Sequence, residues 1–205
     1  MKNALLVAGL MTISAVACSQ PQVNCQLYPL QHRSAYVLPF TIGESYKVEV
    51  STGHYRAANN GVGLYAIDFN MPIGSKIVAA RSGEVVAVRE QFADWNGKDL
   101  EENYIFIRHS DGTVARYFHL TQNGALVAEG DKVNAGDVIG LSGNTGQSGG
   151  PHLHFDVQQC GPNLPPHYNR LPCGQTIPVS FKNTAPHQCG LKAGETYTAL
   201  SEQQH

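Results

Sequence analysis

From His152 to Val157 the chain alternates strictly. His152, His154 and Asp156 occupy the even positions, and Leu153, Phe155 and Val157 the odd ones. A period of two is that of a β-strand, where successive side chains point to opposite faces. The segment therefore demands a sheet with one face packed into a core and the other lined by imidazoles and a carboxylate. A slip of one residue would drive those polar groups into the apolar layer, so the register is strongly specified. The two histidines on the shared face stand about 6–7 Å apart. A lone histidine is ordinarily a surface group or a satisfied core residue, but two on one face of a half-buried strand are poorly explained by packing. Neutral imidazole is a common zinc ligand and a common general base.

The rest of the chain reads as more short strands. Candidate strands lie at 46–50, 65–69, 76–80, 84–89, 104–109, 114–119, 137–141, 152–158, 176–181 and 197–200. Ser110-Asp111-Gly112 between two of them is a strong hairpin signal. Glycine is abundant, at 21 of 205 residues, and no amphipathic helix or internal repeat is evident. This pattern predicts an all-β fold, a two-sheet antiparallel sandwich or barrel-like structure with long loops. The formal net charge of -2 provides no electrostatic case for nucleic acid binding.

The N-terminus reads as a targeting segment. Lys2 precedes an apolar run over 4–16, which is shorter than the roughly 20 residues of a membrane-spanning helix. Ala15-Val16-Ala17-Cys18 is similar to a bacterial lipobox, although Ala15 stands where leucine is usual. The expectation is a signal peptide over 1–17, with Cys18 as the lipidated first residue and the membrane reached only through that anchor. Ser19 then implies an outer-membrane lipoprotein facing the periplasm. The alternative is cleavage near Ala17 with release of the protein. Residues 18–35 read as a tether and 36–205 as one domain with a C-terminal extension. Cys25, Cys160, Cys173 and Cys189 make an even count in an exported protein, which implies two disulfides. Of three connectivities we expect Cys160–Cys173, closing a short loop, and Cys25–Cys189, tying the ends together. A zinc-thiolate site is a weaker reading, because no pair has zinc-knuckle spacing.

Asp68 sits in the otherwise apolar Tyr65-Ala66-Ile67-Asp68-Phe69, where a buried carboxylate requires a partner such as a metal ion, an arginine or hydrogen-bond donors. His119 closes Arg116-Tyr117-Phe118-His119-Leu120. With Glu129-Gly130-Asp131-Lys132-Val133, Gly140-Leu141-Ser142-Gly143-Asn144-Thr145-Gly146 and Gly149-Gly150-Pro151-His152-Leu153-His154-Phe155, these motifs resemble, in order and spacing, the lysostaphin/LytM-like zinc peptidoglycan endopeptidases. The resemblance covers roughly residues 40–200. It implies a duplicated-hybrid-motif β fold with one Zn2+ per chain in an open groove, and peptidoglycan peptide as the partner. Asp68 and His154 would be zinc ligands, and His119 and His152 catalytic groups acting on the water or the transition state.

One departure stands out. The family's first ligand usually lies four residues before the aspartate, where this chain has Leu64. The resemblance then points upstream to His54, with 55–63 as an inserted loop. Tyr55, Tyr65 and Tyr117 are candidate donors to an oxyanion. The run 142–150 reads either as a place where backbone approaches a bound peptide or as a flexible loop. His109 reads as a strand-end residue that could support the site, and His32, His167, His187 and His205 as surface residues. The alternative function is a catalytically impaired wall-binding protein or an activator of another hydrolase, as in relatives that have lost several metal ligands. A zinc-storage protein is a third. Survival of Asp68, His119, His152 and His154 favours the enzyme.

Overall fold

The computed structural model describes residues 24–52, 54, 63–159 and 176–201. The expected signal segment, Cys18, Tyr55, Cys160, Cys173, His167 and His205 lie outside the described residues, as does most of the inserted loop.

Eleven strands build two antiparallel sheets. They are β1 (Ser45–Val50), β2 (Ile67–Asn70), β3 (Lys76–Val78), β4 (Gly83–Arg89), β5 (Tyr104–Arg108), β6 (Thr113–Phe118), β7 (Leu120–Ala125), β8 (Lys132–Val133), β9 (Val138–Ser142), β10 (Leu153–Gln159) and β11 (Thr196–Thr198). The large sheet runs β11-β1-β2-β10-β6-β5-β4-β8, and the small one β3-β9-β7. The all-β, two-sheet expectation therefore holds.

Strict alternation sorts the central strands of the large sheet. Ile67 and Phe69, Ile105 and Ile107, Ala115 and Tyr117, and Leu153, Phe155 and Val157 turn to one face and bury in the main core with Ile77, Leu120 and Ile139 from the smaller sheet. Their neighbours in sequence take the opposite face, where Tyr104 and Phe106 join Ala87 and Val114 in a second apolar cluster, with Phe118 packed against it. Asp68, Arg116, His154 and Asp156 are buried beside that cluster. Register completes the layout: His154 pairs with Asp68 on one side and Phe118 on the other, while Asp156 pairs with Arg116.

Three local expectations change. Residues 176–181 form no strand; Thr176 and Phe181 make only isolated bridges to Gln158 and Tyr36. Pro178 between them has no N–H to give a ladder. The second is β7, a strand absent from the sequence reading, which pairs with β9 at the edge of the small sheet. The third concerns the expected tether. Its described part, residues 24–34, lies along the 180–190 segment. The Cys25–Cys189 disulfide closes it, as expected. Ser180 Oγ donates to Pro29 O and Gln31 Nε2 to Thr184 O, and Ser34 Oγ makes a short bond to Ser180 O.

Candidate metal centre

β2 and β10 bring Asp68 and His154 side by side because they are directly paired on the polar face. His54, from the segment after β1, completes the group. His54 Nε2 lies 2.7 Å from Asp68 Oδ2, and His154 Nδ1 2.9 Å from Asp68 Oδ1. One donor atom from each of the three lies within 4.8 Å of the others, as a shared metal ion would require. Asp68 Oδ1 is buried, and its close neighbour is His154 Nδ1 at 2.9 Å. Two imidazoles and a carboxylate are also a ligand set that zinc accepts with a fourth position open.

The electrostatics agree. Burial disfavours the Asp68 carboxylate, but the adjacent His154 and His54 outweigh it and hold its pKa well below the usual range. Burial likewise disfavours a charged His154, but Asp156 and Asp68 overcome it and push its pKa up to about 9. A metal ion would displace that proton, so loading is coupled to pH.

His119 and His152 stand beside this group, their ring centroids 4.5 Å apart. His119 follows β6 with φ +64°, a left-handed conformation costly for a residue with a side chain and frequent at functional sites. Its Nδ1 lies 2.6 Å from Thr145 O. A carbonyl only accepts, so Nδ1 carries the proton and Nε2 is left as an acceptor. Burial, then the neighbouring His152 and His154, push the His119 pKa down to about 3, against the Thr145 carbonyl and Asp68. His152 Nδ1 is likewise 2.8 Å from Gly150 O, and its Nε2 faces Asp68 Oδ1 at 3.9 Å.

The run 142–150 is braced in its first half. Asp94 accepts from Asn144 N–H and Asn96 from Gly146 N–H, while Thr145 Oγ1 donates to Leu120 O. Ser148 Oγ donates to Gly150 O, beside His152. The flexible-loop reading therefore gives way for 143–146. Tyr117 is removed from the oxyanion candidates, since its ring is in the main core and its hydroxyl accepts from Ala80 N–H. Tyr65 packs edge-on against Tyr28. His109 does not support the site. Its ring lies against Tyr36 at the far end of the β5–β6 hairpin, with Nδ1 on Ser82 O. His32 is exposed and His187 half-buried. Sequence reasoning missed Arg116, whose guanidinium grips Asp156, and the backbone carbonyls of Thr145 and Gly150. Only the shared strand face of His154 and Asp156 hinted at them.

The model of peptidase family M23 matches residues 63–166, half of the sequence. The chain belongs to peptidase family M23. The matched stretch of this M23 chain begins after His54, the donor to which the sequence pointed and which lies 2.7 Å from Asp68. A relative described as an uncharacterized metalloprotease of Buchnera aphidicola is 46% identical over 91 residues, 44% of this chain and 22% of the relative. The peptidoglycan DD-endopeptidase ShyA of Vibrio cholerae is 36% identical over 111 residues, 54% of this chain and 24% of that protein. The M23 chain thus spans about a quarter of the length of these curated relatives. Among solved structures, the catalytic domain of lysostaphin from Staphylococcus simulans is 32% identical, covering 65% of this chain and 88% of that one, with a TM-score of 0.47.

Proposed function

We propose that this chain is a zinc-dependent endopeptidase that hydrolyses peptide cross-links of peptidoglycan in the cell envelope. The observation that carries the reading is the convergence of His54, Asp68 and His154 beside two further histidines whose Nδ1 atoms are tied to carbonyls. Membership of peptidase family M23 supports it, as do relatives named peptidoglycan DD-endopeptidases. His54, Asp68 and His154 would hold one zinc with a net charge near +1. Zinc there would polarise the scissile carbonyl and lower the pKa of a bound water toward about 7. His119 and His152, each protonated at Nδ1, offer Nε2 to accept a proton from the attacking water. Water adds to the peptide carbonyl, the C–N bond breaks, and the proton held at an imidazole passes to the leaving amine. Burial keeps the His119 ring neutral, with Nε2 unprotonated, at neutral pH.

The wall-binding or activator reading would suit a broken donor set; an intact one favours turnover. We further propose that residues 1–17 are a signal peptide, that Cys18 carries a lipid anchor, and that the domain works in the periplasm at the outer membrane. That address favours the direct bond between D-alanine and diaminopimelate over a glycine bridge.

The test is the zinc content of the purified protein beside a His54→Ala variant, with release of fragments from both wall types. One zinc per chain, lost in the variant together with cleavage, is the expected result. A zinc-free protein that cleaves, or a zinc-loaded one that cleaves neither wall, overturns the proposal.

A further inference from the structure

Asp156 and Arg116 form a paired charge buried beneath the candidate metal centre, and nothing in the reaction outlined above uses them. Arg116 Nε donates to Asp156 Oδ1 at 2.7 Å and its terminal amine to Oδ2 at 2.5 Å, a bidentate clamp. The guanidinium also lies over the rings of Phe118 and Phe106, at 4.9 and 5.7 Å. Asp156 is 1% exposed and Arg116 8%. A buried ion pair is a poor means of stabilising a sheet, because desolvation of both charges cancels much of their attraction and apolar residues of similar size often serve better. The pair therefore calls for a reason other than stability.

His154 supplies one. Its Nε2 lies 3.2 Å from Asp156 Oδ2, on the side of the ring away from Asp68. A carboxylate only accepts, so the bond keeps a proton on Nε2, and Nδ1 is the nitrogen whose proton a cation would displace to gain its lone pair. Nδ1 is the atom that faces Asp68 Oδ1. Alternation on β10 sets His154 and Asp156 on one face, and the β10–β6 register sets Arg116 opposite Asp156. Three residues in two paired strands thus fix one ring.

We propose that Asp156, clamped by Arg116, is a positioning residue that holds the His154 ring in the orientation and tautomer that present Nδ1 to a divalent cation. This rests on the metal-centre reading above. Partners of this kind behind a metal-binding histidine typically contribute about 10–100-fold in metal affinity.

Asp156→Asn keeps the shape of the side chain but leaves Arg116 buried without a counter-charge. The companion is therefore the double change Asp156→Asn with Arg116→Gln, which keeps the interior neutral. Zinc affinity of the metal-free protein is measured by chelator competition, with thermal unfolding alongside. In zinc-loaded wild type, nitrogen NMR of the His154 ring reads its tautomer without any substitution. We expect wild type to bind one zinc with the proton on Nε2, and the double variant to fold and bind zinc about 10–100-fold more weakly. Wild-type zinc affinity in the folded double variant, or a His154 protonated at Nδ1 in loaded wild type, overturns the proposal. Should the variants not fold, the wild-type tautomer decides. If wild type itself binds no zinc, it is the metal-centre reading that fails.

Discussion

The β5–β6 hairpin carries a buried histidine at each end, His109 at the turn and His119 where β6 runs out. Their exposures are 3% and 4%. Each ties Nδ1 to a backbone carbonyl, of Ser82 and of Thr145. Each carbonyl sits near a close-packed glycine: a Cβ on Gly83 would overlap Arg108 O, and one on Gly143 the backbone of Thr121. Burial pushes both imidazoles down, to about 4 and about 3. By burial, bonding and basicity the two are near twins. Their company separates them. His109 looks onto the ring of Tyr36, whereas His119 looks onto His152 and His154 and adopts a left-handed backbone. A depressed pKa thus does not by itself identify a working histidine; convergence with other chemical groups does.

The largest effect is expected at the metal group itself. Asp68→Ala should abolish zinc binding and cleavage together, measured by elemental analysis and peptidoglycan digestion; no equivalent change at the turn end should touch either. Next, His119→Ala should keep one zinc per chain while kcat falls about 10²–10⁴-fold, and His109→Ala should leave kcat and zinc unchanged. Equal losses of rate at both ends would break the contrast.

Stability should respond at the turn end. His109 is neutral when folded, and an unfolded histidine takes up a proton near its ordinary pKa of 6.5. The unfolded state then binds more protons, so stability is full above about pH 6.5 and falls as the pH drops toward about 4, by up to about 3 kcal/mol. Denaturant melts of His109→Phe across that window should show a correspondingly flatter slope than wild type. The smallest effects should come from the glycines. Gly83→Ala and Gly143→Ala should each cost about 1–3 kcal/mol through overpacking, but only Gly143→Ala should also lower kcat, by displacing Thr145 from His119.

Alternation made much of the structure legible in advance. Leu153, Phe155 and Val157 of β10 fill the core while His154 and Asp156 take the opposite face, as the period of two required. The Cys25–Cys189 link is the expected choice among the three connectivities the cysteine count allowed. What escaped had weak local signals or rested on pairing. β7 hid because Thr121, Gln122 and Asn123 are consecutive polar residues without apolar alternation, and its place at the sheet edge comes from β9. The Arg116–Asp156 clamp joins residues 40 positions apart, and no local pattern says that β6 lies against β10.

The chain's own order of residues determined which side chains could share a face: His154 with Asp156, Asp68 apart from Ile67 and Phe69. That follows from strand geometry, which is local and holds in any sheet. Tertiary structure alone decided which faces meet. Backbone pairing set Asp68 against His154 and Arg116 against Asp156, and the segment after β1 brought His54 to them across the sequence. Convergence of three donors on one point is a property of long-range hydrogen-bonded register, and only the folded sheet specifies it.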